Sequence, residues 1–205
     1  MKKPFYLLGM IFIAIVCSCN SSTSTNGENQ SQSNPIERDC FMTRFDQFNS
    51  TYPEYKEGLL PGYFAACEYR PDEFMKRFND FNSAYPQNKE GFLPGYFASS
   101  PHSKEEFIER FNDFNQRYPQ YQEGLLPGYY AQSGNSSDDF IKRFTEFNQQ
   151  YTQYKEGFLP GYYAASTHSL SDFMNRFEDF NKKYPQYEEG FLPGYYAQSN
   201  NNLCD

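Results

Sequence analysis

The sequence predicts a mainly α chain, an array of five 33-residue helix-plus-loop repeats stacked like a solenoid, with a closed ring as the alternative closure. Three observations carry this. Phe41, Phe74, Phe107, Phe140 and Phe173 lie 33 residues apart, and thirteen of the 33 columns aligned on them are identical in all five copies. Within each copy, aromatic residues recur at helical spacing. Val occurs once in 205 residues, so no strand is assigned.

The repeats fill 37–69, 70–102, 103–135, 136–168 and 169–201, within a domain spanning 35–201 and followed by a tail at 202–205. Each opens on a helix start. Ser103-x-x-Glu106, Ser136-x-x-Asp139 and Ser169-x-x-Asp172 read as N-caps, while Pro35 and Pro71 suit the first helical position. Inside the third copy, Phe107, Phe111, Phe114 and Tyr118 follow i, i+4, i+7, i+11 spacing and form one aromatic stripe. Pro119 then ends the helix, and Thr152 in its place predicts a slightly longer helix in the fourth copy. After a break at Glu123-Gly124, Pro127-Gly128 reads as a type II turn, followed by Tyr129-Tyr130-Ala131 as a short helical or extended piece. A lone 33-residue unit is too small to fold unaided, so the copies are expected to stack cooperatively.

Ahead of the array, Lys2 and Lys3 precede an apolar run from Phe5 to Val16, too short to span a bilayer as a helix. Residues 1–18 therefore read as a signal peptide. The run ends in Val16-Cys17-Ser18-Cys19, which resembles the lipobox of bacterial lipoproteins, with Cys19 at the lipidated position; Ala14-Ile15-Val16-Cys17 is a poorer match because Val is large for the cleavage position. The resemblance covers about a tenth of the chain. It implies thioether diacylation of Cys19 with palmitate-type chains, loss of everything before it, and anchoring in a bacterial cell envelope. An ordinary cleaved signal peptide is the alternative. From Asn20 to Asn34 the chain is almost wholly Ser, Thr, Asn, Gln and Gly, a tether with a reach of roughly 20 Å.

Eighteen Lys and Arg against 26 Asp and Glu leave a charge of −8, which repels nucleic acid, and a mean hydropathy of −0.85 excludes a polytopic membrane protein. In a compartment that permits disulfides, Cys40 and Cys67 would staple the first repeat, whereas Cys40 and Cys204 would tie the two ends of the array; the first pairing is slightly favoured.

Chemistry-bearing residues recur with the repeat. Arg44, Arg77, Arg110, Arg143 and Arg176 lie at the margin of the Phe stripe, and Glu57, Glu90, Glu123, Glu156 and Glu189 recur on the loop, which predicts structural ion pairs between helix and loop. Asn49, Asn82, Asn115, Asn148 and Asn181 sit on the other margin and are expected to bond loop backbone. Side-by-side rings follow each Pro-Gly: Tyr63 and Phe64, Tyr96 and Phe97, Tyr129 and Tyr130, Tyr162 and Tyr163, Tyr195 and Tyr196. Exposed, they would stack on sugar rings; buried, they would be core. His102 and His168 share one column in the linkers with no partner at metal-ligand spacing, and no calcium loop or nucleophile motif occurs. No catalytic residue, metal site or cofactor is expected. The sequence therefore points to a membrane-anchored envelope lipoprotein, not an enzyme, whose repeats form a multivalent binding module for a glycan or a protein. A structural or assembly protein of the envelope, without a small ligand, is the alternative.

Overall fold

The computed structural model describes residues 40–200 apart from 89, 90, 123, 156 and 189. Signal peptide, Cys19, tether, Pro35 and Cys204 lie outside the described residues, as do Glu90, Glu123, Glu156 and Glu189. The repeats belong to one compact unit, Glu37–Asp205.

Each repeat supplies a long helix and a short one. The long helices are α1 (Cys40–Thr51), α3 (Pro71–Ala84), α5 (Lys104–Arg117), α7 (Ser137–Gln150) and α9 (Leu170–Lys183); the short ones are α2 (Leu60–Ala66), α4 (Leu93–Ser99), α6 (Leu126–Gln132), α8 (Leu159–Ala165) and α10 (Leu192–Gln198). The expected caps form: the hydroxyls of Ser103, Ser136 and Ser169 each accept from the amide three residues on, and α3 begins at Pro71.

Two local expectations are corrected. Thr152 does not lengthen its helix: α7 stops at Gln150 because Tyr151 adopts φ −122°, ψ 63°, as Tyr118 does before Pro119, while the Tyr151 amide still donates to Phe147 O at 2.8 Å. A single 3-10 turn, Pro119–Tyr121 or Thr152–Tyr154, follows in both copies. The packed tyrosine thus sets the helix end, with or without proline. Nor is Pro127-Gly128 a type II turn, since both residues lie in the first turn of α6. Proline is tolerated there because the first amides of a helix have no intrahelical acceptor to lose, and none of the described glycines has a positive φ.

Helix α2 packs on α4, α4 on α6, α6 on α8, α8 on α10, and α10 back on α2. The array is therefore a closed ring, not an open solenoid, with short helices inside and long helices outside. Tyr63, Tyr96, Tyr129, Tyr162 and Tyr195 form an axial pinwheel of edge-to-face rings with centroids 5.0, 5.0, 4.9 and 4.8 Å apart, and Tyr195 meets Tyr63 at 4.9 Å. The closing contact is as tight as the others. A second circuit runs between the two layers of helices, from Phe48–Phe74 at 5.7 Å through Phe114–Phe140 at 5.7 Å to Phe180–Phe41 at 6.0 Å.

Glycine is needed at one column for this closure. A Cβ on Gly128 would stand 2.6 Å from Tyr96 Cδ2, and one on Gly62 would stand 2.6 Å from Tyr195 Cδ2 across the closing junction. Each inner helix lays its bare glycine against the preceding repeat's tyrosine.

Candidate functional site

The paired aromatics fall on different sides of one helical turn, because consecutive helical residues point about 100° apart. Tyr63, Tyr96, Tyr129, Tyr162 and Tyr195 turn to the axis. Phe64, Phe97, Tyr130, Tyr163 and Tyr196 turn outward against the long helices, as in the 5.0 Å stacking of Tyr130 on Phe114. All are buried except Tyr196, which is half-buried. With Tyr129 only 2% exposed, no ring of this set offers its face to a sugar, so the stacking site expected at these pairs is corrected: the pairs are core. Burial raises the phenol of Tyr129 to about 12 and raises Tyr96, Tyr162 and Tyr195 well above the usual range.

The repeated arginines bond backbone carbonyls. Arg110 Nη2 donates to Tyr130 O at 3.1 Å, Ser133 O at 2.9 Å and Asn135 O at 2.8 Å, with its guanidinium carbon 4.4 Å from the Tyr130 ring centroid. Arg44, Arg77, Arg143 and Arg176 repeat the pattern on Phe64, Phe97, Tyr163 and Tyr196. Each closes the C-terminus of an inner helix, where a cation is favoured. This corrects the expected bridge from Arg44 to Glu57, whose side chain is exposed on the loop. The recurring asparagines do not meet loop backbone as acceptors: Oδ1 of Asn49, Asn82, Asn115, Asn148 and Asn181 is buried and unpartnered.

The expected Cys40–Cys67 disulfide does not form. Cys67 is a free buried thiol, while Cys40 is disulfide-bonded to a cysteine outside the described residues. The reason lies in the repeat. Cys67 occupies the column held by Ser100, Ser133, Ser166 and Ser199, and its thiol donates to Phe64 O at 3.2 Å as the Ser133 hydroxyl donates to Tyr130 O at 2.8 Å. Burial pushes the thiol up to about 11.

His102 and His168 are latches between repeats. Nε2 of His102 lies 2.8 Å from Ser133 O, and that of His168 lies 2.8 Å from Ser199 O. In the same column, Tyr69 Oη donates to Ser100 O at 2.8 Å and Asn135 Nδ2 donates to Ala164 O at 2.8 Å. Different side chains perform one task, which hid the column from a search for identity.

Recurring hollows do open on the ring, on the side where the inner helices start. One of about 330 Å³ is lined by Tyr121, Leu125, Leu126, Phe144 and Phe158 over a floor formed by Tyr129 and Gly161, with Gln120 and Lys155 also in the wall. A second, of about 280 Å³, is lined by Tyr154, Phe158, Leu159, Phe177 and Phe191 over Tyr162 and Gly194, with Gln153 and Glu188 in the wall. Every lining residue of the first has its counterpart 33 positions later in the second. The wall contact Tyr121–Phe144, 5.7 Å between centroids, recurs as Tyr55–Phe78 at 6.1 Å, Tyr154–Phe177 at 5.9 Å and, across the closing junction, Tyr187–Phe45 at 5.9 Å. The second repeat has Asn88 in this column. Phe158, 39% exposed, is the most open large apolar side chain among the described residues.

No family model, curated protein or solved structure matches this chain. The geometry alone therefore carries the functional reading. These walls are not evident from the Tyr pairs, because their residues belong to two other columns of the repeat. Column 59, 92, 125, 158, 191 is always Leu or Phe, and column 55, 88, 121, 154, 187 is Tyr in four copies of five. That pattern was the available signal.

Proposed function

We propose that this chain is a membrane-anchored lipoprotein of the bacterial cell envelope, held by acylated Cys19, whose repeats act as a multivalent glycan-binding module. The hollows between repeats are its binding sites. The observation that carries the reading is the recurrence of one hollow, residue for residue, at the repeat interval. Discrete cavities of this size, with ring faces in the wall and a few polar groups beside them, suit single sugar units better than the continuous face of a protein. Equivalent sites around a ring make a weak single affinity useful, because engagement of one site raises the effective concentration at the next. The stretch from Asn20 to Asn34 would hold the ring just off the lipid surface.

A structural or assembly role is the second reading, and one observation favours it: every ring of the Tyr63 and Phe64 columns serves the core. Glycan arrays probed with the chain from Asn20 onward separate the two. Under the first reading a polymeric glycan binds, and Phe158→Ala weakens binding without changing the melting temperature. If no glycan binds while the ring stays folded, the second reading stands. Metabolic labelling with a fatty-acid analogue, with Cys19→Ser as control, tests the anchor; equal labelling of the variant refutes it.

A further inference from the structure

The opposite end of the ring axis holds a different site. There the inner helices end in Ala66, Ser99, Gln132, Ala165 and Gln198, one repeat column in which the copies diverge, around a cup of about 260 Å³ reached from all five repeats. Each of these residues lies one helical turn beyond a pinwheel tyrosine. The rings therefore lie behind the cup.

The hydrogen bonds at its base leave acceptors unused. The Ser99 hydroxyl donates back to Gly95 O at 3.0 Å, so its oxygen can only accept, and it does so from Gln132 Nε2 at 2.9 Å. This fixes the amide of Gln132. Its Oε1 is then left buried with no partner, in a residue only 8% exposed. Gln198 Oε1, two repeats away across Ala165, is also buried and unpartnered. A buried acceptor with no donor is costly, and native structures place a water or a ligand at such points. Glu68 is the only charged side chain among the described residues lining the cup, with no Lys or Arg. Ala165 and Pro101 supply apolar wall.

We propose that the cup binds a small primary alkylammonium, which donates N–H to Gln132 Oε1 and Gln198 Oε1, lays its alkyl chain along Ala165 and Pro101, and has its charge balanced by Glu68 at the rim. The chemistry follows from the wall: acceptors without donors select a donor, one carboxylate selects a cation, and the volume far exceeds that of a bare ion. The site is independent of the hollows at the other end of the ring.

The test follows the glutamine side-chain amide resonances of the ¹⁵N-labelled chain during titration with propylammonium chloride. Sodium chloride serves as the ionic-strength control, and tetramethylammonium as a cation with no N–H to give. Saturable shifts of the Gln132 and Gln198 amides with propylammonium alone are expected, weakened about tenfold or more in Gln132→Met or Gln198→Met. Gln132→Met removes both the unpartnered acceptor and the Nε2 bond to Ser99 Oγ, so the melting temperature of the unliganded chain should change little. Gln198 is less buried, so its variant keeps the binding test open if Gln132→Met folds poorly. The proposal is overturned if no saturable shift occurs, if sodium or tetramethylammonium gives the same shifts, or if both Met variants bind as the parent does.

Discussion

Gly128→Ala tests the ring at its tightest point. The added Cβ would lie 2.6 and 2.7 Å from Cδ2 and Cε2 of Tyr96, about 1 Å inside the normal separation of carbon atoms. Tyr96 cannot swing away easily, since its ring is held at 5.0 Å from Tyr63 on one side and 5.0 Å from Tyr129 on the other. Overpacking of this kind costs about 1–3 kcal/mol. Alanine returns up to about 1 kcal/mol because it is the better helix former and Gly128 lies within α6. From the middle of the overpacking range the net loss is about 1–2 kcal/mol, equivalent to a fall in Tm of roughly 2–8 °C for a domain of this size. Gly134→Ala is the internal control, because its Cβ would meet nothing within 4 Å; it should leave Tm unchanged or slightly raised. Scanning calorimetry of the two variants beside the parent decides. If Gly128→Ala melts at or above the parent temperature, or the two alanines behave alike, the glycine–tyrosine interlock does not hold the ring.

Alkali should open the same structure. With the folded phenol of Tyr129 at about 12 against 10.0 unfolded, stability is fully present below pH 10 and is lost as pH rises towards 12, by about 2–3 kcal/mol from this residue alone. The neighbouring raised tyrosines add to that loss, so tyrosinate absorbance and far-UV circular dichroism should change together in a late cooperative step; reversible titration of every tyrosine with helicity intact would refute it. Arg110→Leu strips three carbonyl bonds from the end of α6 and should cost about 2–4 kcal/mol in urea unfolding. Arg110→Lys should recover only part of this, because its ammonium cannot lie flat over the Tyr130 ring as the guanidinium does at 4.4 Å from the centroid. Cys67, buried with its thiol raised to about 11, should resist iodoacetamide at pH 8 and react at once in denaturant; rapid reaction of the native chain would refute its burial. A circular permutant opened at Gly134, with the native ends joined by a short linker, should still fold, losing at most what Arg110→Leu loses because the cut lies between two of the Arg110 acceptors, whereas an open array could not join those ends.

The helices were legible because their signals are local. Ser103 with Glu106, and the spacing of Phe107, Phe111 and Phe114, act within one turn or two of one helix. Pro127-Gly128 misled because the dipeptide has two physical uses. In a short window it signals a turn, while here Pro opens a helix and Gly makes room for a ring from another repeat 32 residues earlier. The Cys40–Cys67 pairing failed for a related reason: spacing permitted it, but Cys67 holds the place of a serine that caps an inner helix. Closure did leave a trace. A stacked array needs end repeats with polar outer faces, yet the first and last copies carry the same Tyr, Phe, Leu and Gly at the contact columns as the middle three.

That absence of end caps bears on the chemistry. In a chain of like modules each interface joins one surface to a different one, so the array grows until its rotation closes, here after five steps. Columns that face a neighbouring repeat are then constrained at every position, as Gly62 is by Tyr195 and Phe41 by Phe180. The axis end of the inner helices is less constrained, its contact between repeats being the bond from Gln132 Nε2 to Ser99 Oγ. Ala66, Ser99, Gln132, Ala165 and Gln198 meet around one cup, and there the copies differ. Repetition builds equivalent hollows on one side, while divergence in a single column builds one asymmetric cup on the other. A variant in that column should therefore change binding at the axis while leaving the hollows between repeats unaltered.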